Sequence, residues 1–159
     1  MEYDHFNYGE SLASSHKDIS HTPQRKRFFT AFGLEDLTTM NDSLSSINGT
    51  ILIAVDGCES DSEDNGSDGL NDKQIYSFIV ARNTISGNPT SINQAAKECK
   101  RICKQIRNRL FNDPTLIGII DRNTQINGIG PIGDNFYGTV LTFSLNVPED
   151  YFIDARYWQ

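Results

Sequence analysis

The sequence predicts an α+β fold, a single mostly antiparallel β-sheet covered on one face by a long α-helix and a short N-terminal helix. Three observations predict it. Between Ile92 and Phe111 apolar residues recur at three- and four-residue steps; Thr50-Ile51-Leu52-Ile53-Ala54-Val55 is an apolar run of strand length; and Leu141, Phe143, Leu145 and Val147 alternate with Thr142, Ser144 and Asn146. A helix stripe and half-buried strands bury one another when the helix lies across the sheet. The length of 159 residues suits one domain. That domain, 1–159, divides into an N-terminal helical segment (1–24), the body, an acidic loop insertion (56–72) and an aromatic C-terminal tail (148–159).

Taken in order, Tyr8 to Ile19 reads as a short helix with Leu12 and Ile19 as its apolar contacts, ended near Thr22-Pro23 because proline disfavours helix in the residue before it. Arg25-Lys26-Arg27-Phe28-Phe29-Thr30-Ala31-Phe32 has a basic entry and aromatics that suit a pleated surface, and is expected to be a strand. Between Gly33 and Gly49, Leu34, Leu37, Met40, Leu44 and Ile47 are spaced for a short helix or lie on an extended arm. Thr50 to Val55, bounded by Asn48-Gly49 and Asp56-Gly57, is the strand expected to be most buried.

Asp56 to Asp72 is rich in Asp, Glu and Gly and holds a single large apolar residue, Leu70. So little apolar surface cannot offset ordering entropy, and a long mobile acidic loop is expected. Lys73 to Arg82 restores a strand with apolar residues on both faces, pairing with Thr50 to Val55 across that loop. The helix follows, with Ile92, Ala95, Cys99, Ile102, Ile106 and Leu110 on its stripe, Ser91 and Gln94 as a capping box, and Asp113-Pro114 as its stop. Leu116 to Ile120 is expected to be a strand, Asn123 to Asn135 a glycine-rich connection turning at Asn127-Gly128, and the final alternating strand ends at Pro148.

Charge and composition exclude several functions. The formal charge of −7 and the pI of about 4.8 argue against a global attraction to nucleic acid or anionic membrane. No apolar stretch approaches membrane-span length, and Met1 to Gly9 lacks the basic and apolar regions of a leader, so a cytoplasmic site of synthesis is expected. Cys58, Cys99 and Cys103 are an odd count, which fits a reducing compartment. Cys99 and Cys103 share one helix face on the apolar stripe, where they read as buried small hydrophobes.

For catalysis the sequence offers no acid, base and nucleophile set: His5, His16 and His21 lie in the polar N-terminal region, where surface positions are expected. Phosphate-loop, dinucleotide and zinc-hydrolase patterns are lacking, so neither enzyme activity nor a cofactor is expected. In the acidic loop Asp61, Glu63, Asn65, Gly66 and Asp72 fall at positions one, three, five, six and twelve of a calcium-loop template. Against that match, Glu63 is long for its position, Asp68 replaces an apolar anchor, and strands flank the loop; a solvated hairpin tip is the competing reading.

Two further groups suggest contact surfaces. Lys97, Lys100, Arg101, Lys104 and Arg107 line the polar side of the long helix, either as a stripe for an acidic partner or phosphates or as an ordinary solvated face. An acidic loop and a basic helix face on one subunit suit head-to-tail contact between copies. In the tail, Tyr151, Phe152, Tyr157 and Trp158 either fold back on the sheet or anchor another chain, being residue types enriched at interface hot spots.

The ordered pattern of an N-terminal helix, the strand Thr50 to Val55, a loop, the strand Ile75 to Ala81, a long helix ending in Phe111-Asn112-Asp113-Pro114, then Asp134-Asn135-Phe136-Tyr137-Gly138 leading into Val140-Leu141-Thr142-Phe143-Ser144-Leu145 and a terminal Trp158, resembles phage tail-terminator and related neck-ring proteins. The similarity covers most of the chain as a pattern, without signature residues, and the Ser/Asn-rich style resembles proteins of phages and prophages of Bacteroides-type hosts. The resemblance implies a structural virion protein in closed rings of six or twelve copies, assembled in the host cytoplasm. Such a ring would join portal and head to tail, with adjacent neck, portal or tail proteins as partners and DNA as cargo in its channel. The long acidic insertion departs from the family pattern; its expected place is the channel, where like charge keeps DNA from sticking, or a contact with the next ring. Without the resemblance, the residues describe a non-catalytic protein-binding or regulatory α+β module.

Overall fold

A computed structural model describes residues 2–159. The chain runs α1 (His5–Ser15), β1 (Phe28–Ala31), a 3-10 turn (Leu34–Thr39), α2 (Asn41–Leu44), β2 (Thr50–Asp64), β3 (Leu70–Asn83), α3 (Pro89–Phe111), β4 (Gln125–Ile132), β5 (Phe136–Glu149) and a short 3-10 turn (Ala155–Tyr157). The five strands form one sheet in the order β1-β2-β3-β5-β4. Only β1 and β2 are parallel; the other three pairings are antiparallel.

Strand alternation gives the sheet two apolar faces. On one, Leu52, Ala54, Phe78, Val80, Leu141 and Phe143 pack against Cys99, Ile102, Cys103, Ile106 and Leu110 of α3 and against Leu12 and Ala13 of α1. On the other, Ile51, Ile53, Ile79 and Ala81 meet Leu37, Met40 and Leu44, so the 34–44 segment is short helical turns that cover part of the second face as well. Close approach fixes two glycines. A Cβ on Gly9 would sit 2.9 Å from a ring carbon of Phe78, and one on Gly138 would run into the backbone carbonyl of Val80 in the neighbouring strand.

The helix boundaries follow their caps. The Asp4 side chain accepts from the backbone N–H of Asn7 at 3.0 Å, so α1 begins at His5, earlier than the apolar spacing suggested, and it stops at Ser15; Ile19 is buried in the turns that follow. At α3 the cap is Asn88, accepting from Ser91 N–H, with Pro89 opening the helix. Ser91, expected to cap, instead accepts from Ile85 N–H at 2.8 Å.

Three expectations are corrected. Leu116 to Ile120 is not a strand: Ile117 N–H reaches Asp113 O and Ile120 N–H reaches Leu116 O, which makes helical turns with a single bridge from Ile120 to Leu145. Its period could not separate a buried strand from a helical turn, and Asp113 decides it by accepting from Thr115 N–H at 2.8 Å. The glycine-rich stretch is not a plain connection, because Gln125–Ile132 is the edge strand β4, with an irregularity between Ile129 and Ile132 that accommodates Gly130 and Pro131. The turn falls at Gly133, where φ is 60°, and not at Asn127-Gly128.

The third correction is the largest. Residues 56–72 are not a mobile loop; β2 and β3 run on as paired strands to a tip at 65–69, and β5 lies alongside β3 as far as Glu149 opposite Leu70. A three-stranded arm results. Its sequence lacks apolar residues because the ladder, with β3 bonded on both sides, supplies the order instead of a core. The register slips between Val55 and Glu59, where Cys58 takes a positive φ of 53°.

Candidate interaction surfaces

The tail leaves the sheet at the outer end of the arm. Fold-back is excluded: Tyr151, Phe152, Ile153, Tyr157 and Trp158 are between 62% and 84% exposed, an unusual run of bare apolar side chains. Local contacts shape it without covering it. The Tyr151 and Phe152 rings stack with centroids 6.0 Å apart, and Asp154 accepts from Arg156 N–H and pairs with its guanidinium at 2.6 Å. Those hydrogen bonds from Arg156 hold the Asp154 carboxyl below the usual carboxylate range.

At one edge of the sheet, β1 has a strand on one side only. Leu52 N–H donates to Arg27 O at 2.9 Å, so Arg27 and, by strand alternation, Phe29 bond toward β2, while Phe28 and Thr30 turn their N–H and C=O groups outward. A groove of about 290 Å³ follows this edge, lined by Pro23, Lys26, Phe28, Phe29 and Thr30 and by Glu10, whose carboxylate lies 3.6 Å from His21. Arg25, Lys26 and Arg27 form no ion pair among the described residues. Arg27 donates to Lys26 O and Asn48 O and leaves Nε without a partner; burial and the neighbouring Arg25 lower its pKa. Just beyond β1, Phe32 and Leu34 are exposed.

On α3, Lys97, Lys100, Arg101 and Lys104 are exposed and Arg107 is half-buried. Arg101 is committed within the chain, at 2.9 Å from Asp18 and 3.2 Å from Glu98, and those two carboxylates raise its pKa. The Arg107 guanidinium donates to Asn108. Lys97, Lys100 and Lys104 have no carboxylate partner among the described residues.

The calcium-loop residues do not converge. Asp61 lies opposite Lys73 and Glu63 opposite Asn71, which puts their side chains on one face of the arm, whereas Asp72 lies opposite Ser62 on the other face. Glu63 pairs with Lys73 at 3.8 Å, and the Asn65 side chain accepts from Ser67 N–H and Gly69 N–H to build the tip. Among the described residues no group of three or more His, Cys, Asp or Glu is placed to hold a metal.

The histidines are not the surface residues the sequence suggested. His5 is 2% exposed, stacked on Tyr76 and Phe78, with Nε2 2.8 Å from Ser77 O and Nδ1 2.9 Å from the Tyr3 hydroxyl. The Ser77 carbonyl can only accept, so Nε2 carries the proton and Tyr3 donates to Nδ1. His21 accepts from Arg27 N–H at 3.0 Å, and His16 meets Gln105 at 2.6 Å. Each fastens the N-terminal segment to the body. Cys99 and Cys103 are buried as expected, with Cys103 Sγ 3.1 Å from Thr139 Oγ1, and Cys58 is exposed.

The sequence matches no protein-family model, and a search of curated proteins finds no relative. No helix among the described residues is long and apolar enough to cross a membrane. The open β1 edge is the surface that sequence reasoning missed. Its signal was the basic triplet before two aromatics, which was read only as the entry to a strand.

Proposed function

We propose that this protein is an assembly subunit, a structural virion protein that forms a closed ring in a phage neck or tail and joins the portal and head to the tail. The observation that carries this reading is the tail: five large apolar side chains stand in solvent at the end of an ordered arm, where an isolated chain gains nothing from them. The resemblance of the element order to tail-terminator and neck-ring proteins supports the same reading. In this role the chain contributes shape and contact surface, and its side chains make or break no bond.

Unlike surfaces, one at the end of the arm and one along the β1 edge, suit head-to-tail contact, which closes into rings when the rotation allows. The experiment is mass measurement in solution with imaging of the particles. Closed rings of six or twelve copies are expected; a chain that stays monomeric at every concentration and beside its neighbouring gene products overturns the proposal, and leaves a non-viral binding module as the reading.

A further inference from the structure

The tail and the open β1 edge carry matching patterns of charge and apolarity. Along the edge the order is basic (Arg25, Lys26, Arg27), then apolar and aromatic (Phe28 to Phe32), then acidic (Glu35, Asp36). Along the tail it is acidic (Glu149, Asp150), then apolar (Tyr151, Phe152, Ile153), then Asp154 and Arg156, which pair with each other.

We propose that the tail of one copy adds as a sixth strand to the free edge of β1 in the next copy, running parallel to β1 with Tyr151 beside Phe28. This surface rests on the assembly reading above. In that register Asp150 lies beside Arg27 and Glu149 beside Lys26, so two of the three unpaired basic residues gain carboxylates. The reverse direction carries Glu149 and Asp150 away from those basic residues and toward Glu35 and Asp36, which repel them. The outward N–H and C=O groups of Phe28 and Thr30 receive ladder partners, and the groove along Pro23 and Phe29 takes the aromatic side chains.

The occupant is a second copy because the chain's own tail cannot arrive. Glu149 is level with Leu70 and therefore with Asp64, while β1 ends level with Val55. Counted on β3, which has no extra residues, those levels are Leu70 and Ser77, seven residues apart (77 − 70 = 7), roughly 23 Å at about 3.3 Å per residue. Tyr151 is two residues past Glu149, a reach of roughly 7 Å. A contact that uses one end of the arm and the far edge of the sheet joins unlike surfaces, so each copy offers both halves and the interaction propagates.

Crosslinking tests it. In a Cys58→Ser background, Thr30→Cys and Ile153→Cys chains are co-expressed and treated with a short bismaleimide; Cys99 and Cys103 are buried and do not compete. The expected product is a linked dimer mapped to positions 30 and 153, several-fold above that from Asn127→Cys with Ile153→Cys, which probes the other sheet edge. Lys26→Glu in the Thr30→Cys chain is expected to abolish the product, and Glu149→Lys in the Ile153→Cys chain to restore it. Equal yields from the two edges overturn the docking surface, as does a yield indifferent to the Lys26→Glu change. Mass measurement on the same samples keeps the readings apart: rings without the 30–153 link overturn this surface alone, and monomers overturn both.

Discussion

The imidazole of His5 stacks on the ring of Phe78 with centroids 4.2 Å apart, so a titratable group forms part of the core between α1 and the sheet. Burial pushes its pKa down from 6.5 to about 4. The folded protein holds His5 neutral through a range in which the unfolded chain binds a proton, so stability is present above pH 6.5 and lost as pH falls through 4. The loss amounts to up to roughly 3 kcal/mol. Urea unfolding of the protein and of His5→Leu, each at neutral pH and near pH 4, checks it: the variant starts less stable and loses less on acidification. Equal acid losses would count against a buried neutral imidazole.

Gly138 faces Ala81 across the β3–β5 ladder, where a methyl group would meet the Val80 carbonyl oxygen and come within 2.7 Å of the Ala81 Cα. Backbone atoms in the middle of a sheet cannot step aside. Gly138→Ala is expected to cost about 3 kcal/mol or more, read as a drop in the denaturant midpoint or as loss of soluble protein. A midpoint within error of the parent's would contradict the close approach.

The tail touches little of its own chain, so a chain ending at Glu149 is expected to unfold within about 0.5 kcal/mol of the full protein. Its assembly is expected to disappear. Thermal unfolding and light scattering on the two proteins read the two quantities separately; an assembly that survives the deletion removes the tail from the interface.

Thiol chemistry reports the helix–sheet core. Burial raises Cys99 to about 12 and Cys103 to about 11, whereas Cys58 is exposed on the arm. A thiol reagent at neutral pH is expected to modify one cysteine per folded chain and three after denaturation. Fast modification of a second thiol in the folded state would show that α3 lifts from the sheet.

Elements with a strong apolar period were legible in the sequence. The α3 stripe from Ala95 to Leu110, the Thr50 to Val55 run, and Leu141, Phe143 and Leu145 are buried as their spacing predicted, whereas Ile92 and Val147 are half-buried and Ser144, expected on the wet face, is buried. What the sequence hid depends on partners and not on composition. Glu59 to Asp64 is polar throughout, yet it is a strand because Leu70 to Ile75 pairs with it and β5 pairs with β3 in turn. Gln125–Ile132 looked like a connection because an edge strand needs hydrogen bonds on one side only and tolerates glycine and proline. Of the surfaces, the tail and the α3 lysines stood out as residue types. The β1 edge did not, since an open edge is defined by what lies beside a strand, and no residue type encodes that. His5 was misjudged for a similar reason: its polarity is satisfied by Tyr3 and Ser77, one of them 72 positions away.

The middle strand of the arm and body, β3, is held on one side by β5, whose residues lie 53 to 79 positions further along the chain (136 − 83 and 149 − 70). During synthesis the first four strand-length segments therefore emerge from the ribosome without the neighbour that completes their sheet. Until β5 has followed, one side of β3 has no ladder partner. The sheet is thus completed late in the making of this polypeptide, and a premature stop before residue 136 leaves β3 and β4 without the strand that joins them.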